Sequence, residues 1–169
     1  MKKLSKIVAL LLAGALTMLM FTACGGGGGN YGTRDSGKEA ALFDSVKSGR
    51  QVSAQVTAND PTLCETADRH LKEDLNTDLR IFGTQLVANV HVDGEEGKYL
   101  IITATANYVG GPLSEFALEK IEKLAGKKLP GTDVNVHGKG SWVDVGVVVR
   151  NVGTQSYMAV AFKIANPNK

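Results

Sequence analysis

Cysteine is all but missing from this chain: Cys24 and Cys64 are the only two among 169 residues, so no CxxC pair exists to hold a zinc ion. Histidine is nearly as sparse, and no two of His70, His91 and His137 share a local motif. None of Ser45, Ser48, Ser53, Ser114, Ser141 and Ser156 sits in a G-x-S-x-G nucleophile elbow, so no hydrolase follows from motif. Gly138-Lys139-Gly140-Ser141 has the letters of a phosphate loop. That cradle needs a strand before it and a helix N-terminus after it, whereas a strand pattern follows here, which excludes nucleotide binding. Long apolar runs are lacking as well. The run Ile7 to Phe21 has about fifteen apolar or small residues, short of the ~20 that a bilayer span takes.

What is present begins at the N-terminus. Met1-Lys2-Lys3-Leu4-Ser5-Lys6 carries three lysines and no acid, the apolar run follows, and small Thr22 and Ala23 precede Cys24 and five glycines. This is signal-peptide anatomy. Phe21-Thr22-Ala23-Cys24 resembles the lipobox of bacterial lipoproteins, with Phe21 where Leu is usual. The resemblance implies diacylglyceryl transfer to the Cys24 thiol, cleavage after Ala23, and no cofactor beyond that covalent diacylglycerol. Two acyl chains give stable anchoring where one gives marginal binding. The expected location is the cell membrane, lipid-anchored, on its extracytoplasmic face.

Removal of residues 1–23 leaves 146 residues with 16 Lys and Arg against 17 Asp and Glu, a net charge of −1. Such a surface gives no reason to expect nucleic acid as a partner. One domain is the expected count at this length. With Cys24 committed to lipid, Cys64 has no disulfide partner within the chain. It falls among apolar positions of a predicted helix, where free cysteine behaves as a small buried hydrophobe rather than a reactive thiol. Residues 24–37 read as the lipidated cysteine and a glycine-rich tether of about 20 Å, and residues 38–169 as a single domain.

Within that domain, Ala41, Leu42, Phe43 and Val46 predict a short helix over Lys38 to about Ser48, and residues 50–58 an extended connection or short strand. Asn59-Asp60-Pro61 announces a second helix, to about Asn76, because Asp60 can cap the free N–H groups and Pro61 has none to lose. Leu63, Ala67, Leu71, Leu75 and Leu79 form its stripe, with Cys64 beside them. Alternation over Thr84–Val92 and Lys98–Tyr108, around Asp93-Gly94-Glu95-Glu96-Gly97, predicts a hairpin. Leu113, Phe116, Ala117, Ile121 and Leu124 predict a third helix stopped by Gly126. Asp133–His137 reads as extended. Ser141–Val152 and Gln155–Ile164 predict a second hairpin, with Trp142 on the same face as Gly146 and Val148. Gly146, Ala159 and Ala161 are small enough for a helix to pack closely on that face. The fold class is therefore α+β, an antiparallel sheet of about four strands in two hairpins packed with two to three helices.

Chemistry is harder to place. His91 and His137 meet if their strands are neighbours, and with Asp93 or Asp133 they form a conceivable metal set, but surface histidines on strands are the commoner case. The reading names no metal ligand and no catalytic residue. Glu95-Glu96 reads as a solvated turn, since acid–base catalysis needs carboxylates shifted by burial. Trp142, Tyr157 and Tyr108, with Arg150 and Lys163, form a candidate aromatic and cationic strip for a peptide, a glycan or an envelope protein; the alternative is that a helix covers this face.

Asn59-Asp60-Pro61-Thr62-Leu63-Cys64-Glu65-Thr66-Ala67 resembles the start of the second helix of bacterial CAP (SCP-like) domains. Ser141 to Val149 with Tyr157 to Phe162 is similar to that family's final hairpin, and Ala104 to Ile121 to its strand-then-helix passage. The family's cleft combines two histidines and two glutamates. Here no Ser-His pair follows the second helix, Ala104-Thr105-Ala106-Asn107 stands near where Gly-Glu-Asn is expected, and the third helix lacks Trp-x-x-Glu. The resemblance thus implies a degenerate member and transfers no site residue. The sequence reads as a tethered binding or interaction module, leaning away from an enzyme. The alternatives are a CAP-like envelope enzyme acting on peptidoglycan or peptides, and a purely structural envelope lipoprotein.

Overall fold

The computed structural model describes residues 31–76, 80–81, 84–109, 115–128 and 134–169. In chain order the elements are β1 (Thr33–Arg34), α1 (Ser36–Lys47), α2 (Pro61–Leu75), β2 (Arg80–Ile81), β3 (Thr84–Gln85), β4 (Ala88–Asp93), β5 (Tyr99–Asn107), α3 (Glu115–Lys128), β6 (Asp144–Val152) and β7 (Gln155–Ala165). Both predicted hairpins form. His91 pairs with Thr103 across β4 and β5, and Gly146 with Ala161 across β6 and β7. Antiparallel pairing of β5 with β7, Ile102 opposite Phe162, joins them into one sheet of order β1-β6-β7-β5-β4. β2 and β3 make a separate small ladder.

Period-two alternation gives this sheet two apolar faces. On the first, Leu100, Ile102, Val145, Val147, Val149, Val160, Phe162 and Ile164 pack beneath α1, through Leu42, Phe43 and Val46, and α3, through Leu118, Ile121 and Ala125. On the second, Val148, Tyr157, Ala159 and Ala161 meet Leu63, Cys64, Ala67 and Leu71 of α2. The molecule is α+β, helices on both faces of an antiparallel sheet. The small residues of the second face act as the sequence suggests: a Cβ on Gly146 would lie 2.5 Å from the backbone nitrogen of Cys64. Helix backbone and strand backbone touch there, and only glycine leaves room.

α2 is tied down at its start. The Asp60 carboxylate accepts from the Leu63 N–H at 2.8 Å, closing the cap, and the Asn59 amide exchanges two hydrogen bonds with the backbone of Val147. Cys64 is buried, its Sγ 3.5 Å from the Val147 carbonyl, and burial pushes its thiol up to about 11, so it is packing rather than a nucleophile.

Several expectations are corrected. The fifth strand, β1, comes from residues assigned to the tether: Thr33 and Arg34 pair with Asn151 and Arg150 of β6, and Asp35 caps α1 by accepting from the Lys38 N–H. Gly32 makes this possible, with φ of +63° and so close an approach to the Asn151 carbonyl that a Cβ would overlap it. Residues 50–58 form a loop touching the sheet end through one bridge, Val52 to Trp142. Trp142 precedes β6, so the strand alternation does not govern it; its ring turns to the first face and stacks on Phe162 with centroids 3.7 Å apart. α3 runs past Gly126 to Lys128, and its buried stripe includes Leu118 and Ala125. Leu79, Leu113 and Asp133 lie outside the described residues, as does the Phe116 side chain.

Candidate functional site

The helical spacing of α2 puts His70, Glu73 and Asp74 along one edge, facing the outermost strand, β4. On β4, His91 and Asp93 are two residues apart and so share the face on which α2 lies. The two elements bring these five residues together. His70 and His91 stack, ring centroids 4.0 Å apart and planes 13° from parallel. His70 is buried, 5 % exposed, with Nδ1 2.8 Å from Glu73 Oε2 and Nε2 2.7 Å from Asp93 Oδ2. His91 Nε2 lies 2.9 Å from Asp74 Oδ2.

The carboxylates are held in turn. Asp74 accepts from the Thr105 hydroxyl and, at 2.9 Å, from the Asn89 amide. Arg69 lies 3.4 Å from Asp93 and 3.5 Å from Glu73. The His70 hydrogen bond pulls the Glu73 carboxyl below its ordinary range. For Asp74 and Asp93 burial pushes upward, but the hydrogen bonds and charges of the histidines, with Thr105 and Asn89 for Asp74 and Arg69 for Asp93, outweigh it, and both carboxyls end below their ordinary range. All three are therefore anions near neutrality. One ring nitrogen from each histidine and one Glu73 oxygen lie within 4.8 Å of one another.

Outside this cluster, a charged depression beside α2 is lined by Tyr31, Arg34, Asp68, Lys72, Glu73 and Asn76 among others. An apolar cavity of about 140 Å³ lies between α3 and the small residues Ala88, Ala104 and Ala106.

The residues singled out in the sequence fall elsewhere. The strip of Trp142, Tyr157 and Arg150 is not a surface: Trp142 is 0 %, Tyr157 1 % and Arg150 6 % exposed, and Trp142 and Tyr157 belong to opposite faces of the sheet. α2 covers Tyr157, and Arg150 is occupied by a two-toothed pair with Asp68 and by the Gly32 and Tyr31 carbonyls. His91 meets His70, not His137, whose Nε2 lies 3.1 Å from Glu122. The cluster's ingredients, His70-x-x-Glu73-Asp74 and His91-x-Asp93, are visible in the sequence. Their meeting depends on where α2 crosses the sheet, which neither segment encodes. No family model, curated protein or solved structure matches the chain.

Proposed function

We propose that this chain is a lipid-anchored protein of the extracytoplasmic membrane face whose folded domain is a binding module, working through the histidine–carboxylate cluster between α2 and β4. The observation that carries the anchor is the order Lys-rich start, apolar run, Phe21-Thr22-Ala23-Cys24. Seven residues on, at Tyr31, the described fold begins, and a chain of that length reaches no more than about 25 Å. The domain then works close to the lipid surface. With the aromatic strip interior, the cluster is a place where polar side chains from separate elements converge, the arrangement recognition sites share.

Metabolic labelling with a palmitate analogue, followed by membrane fractionation, tests the anchor. Label should enter the parent protein and not Cys24→Ala, and Cys24→Ala should leave the membrane fraction. Label in Cys24→Ala, or parent protein wholly in the soluble fraction, sinks the reading.

A second reading, an envelope enzyme acting on peptidoglycan or peptides, is favoured by the histidines lying against carboxylates. Turnover of a peptidoglycan digest that disappears in His91→Ala would support it over a binding module.

A further inference from the structure

The stacked histidine pair is built as only part of a coordination sphere. Each ring uses Nε2 on an aspartate, His70 on Asp93 and His91 on Asp74, and each aspartate is fixed by further donors, Arg69 in one case and Thr105 with Asn89 in the other. A carboxylate behind each imidazole sets its tautomer and aims the opposite nitrogen, which is what outer-sphere groups do for metal-bound histidine. The opposite nitrogen of His70, Nδ1, faces the Glu73 carboxylate.

From this geometry we infer that His70, Glu73 and His91 form a binding site for one divalent transition metal ion of the zinc class, with Asp93 and Asp74 as its outer sphere. Three further observations bear on it. With both rings neutral, Glu73, Asp74 and Asp93 against Arg69 leave the cluster at a charge of −2, which one divalent ion balances. The donors, two imidazoles and one carboxylate, suit zinc and its neighbours, whereas calcium and magnesium prefer all-oxygen sets. Thr103, the cross-strand partner of His91, has a buried hydroxyl without a hydrogen-bond partner among the described residues, so the polar set beside the histidines is incomplete as it stands.

Distances are consistent with an ion drawing the ligands in. Metal–ligand bonds of about 2.1 Å put neighbouring donors of a tetrahedral site about 3.4 Å apart. The present donor atoms lie within 4.8 Å, but the rings are stacked 13° from parallel, so closure needs them to turn out of the stack until both lone pairs meet at one point, together with a turn of the half-exposed Glu73 side chain. Three protein ligands leave a position for water, as in open zinc sites. The inference holds whether or not Cys24 carries lipid.

The test uses the full chain in detergent micelles, stripped with chelator and titrated with cobalt(II), then zinc. The expected result is one equivalent of cobalt with visible absorption bands of a low-coordinate nitrogen and oxygen site, bleached by zinc. Glu73→Gln, at an exposed position that leaves folding intact, and His91→Ala should weaken binding at least about tenfold, Asp74→Asn by about 10- to 100-fold, and His137→Ala not at all. Circular dichroism checks the fold of each. Absence of saturable binding, binding unchanged in folded Glu73→Gln and His91→Ala, or binding lost in His137→Ala would overturn the inference.

Discussion

Arg150 shows how much a single side chain can be asked to hold. It ties the second face of the sheet to Asp68 of α2 and, through its other amino group, to the backbone of Gly32 and Tyr31 ahead of β1. A guanidinium that is 6 % exposed tolerates burial because its donors are met. Removing one partner leaves the other's charge in place: Asp68→Ala, which strands Arg150, should cost about 3 kcal/mol in chemical denaturation, more than Arg150→Met, after which Asp68 keeps Lys72 at 2.7 Å. Acid should act through the same class of group. The Lys38 backbone N–H and the Asn151 amide hold the Asp35 carboxyl down at about 2, and the Arg150 and Lys72 partners hold Asp68 below its ordinary range against the opposing effect of burial. A carboxylate depressed in the folded state adds stability above its unfolded value and loses it as the folded value is approached. Unfolding free energy should therefore fall as pH drops from about 4 toward 2, and Asp35→Asn should flatten part of that slope.

Among the elements, α2 decides most, because it closes one face of the sheet and supplies half of the histidine cluster. Its seat is Gly146, and Gly146→Ala pushes a methyl group into helix backbone rather than into a movable side chain. The expected loss in chemical denaturation is about 1–3 kcal/mol, with Val148→Ala as a cavity control on the same strand. α2 is also the most legible element. Asp60, Pro61 and the four-residue leucine spacing fix where it starts and which side it buries, and the strand patterns fix both hairpins. β1 is hidden because two residues behind a glycine run carry no period of their own; β6 supplies the pairing. Trp142 escapes the pattern because alternation ends with the strand, and the chain bends before it. The candidate site is legible only in halves, since His70 and His91 lie on separate elements and where α2 crosses the sheet determines their meeting.

At the scale of the whole molecule, the edges of the sheet have different protection. β4 is flanked by the histidine–carboxylate cluster, while among the described residues β6 is shielded by no strand but the two residues of β1. A chain beginning at Lys38 exposes the β6 edge, and an uncovered edge strand recruits another. Size-exclusion chromatography should show self-association of that shortened chain at concentrations where one beginning at Tyr31 is monodisperse; equal elution of the two would show that β1 is dispensable.

The strand order has a consequence for how the molecule comes into being. β7, which follows the other described strands in chain order, lies in the middle of the sheet, bonded to β6 on one side and to β5 on the other. Until residue 165 has emerged, β4 and β5 have nothing to join and the β6 surface under α2 is half made. The nascent chain is therefore denied its native sheet until β7 has been made, and then gains it from that strand. Such a protein remains threadable while β7 is unmade, and that strand, more than any of the helices, sets the moment at which the sheet can close.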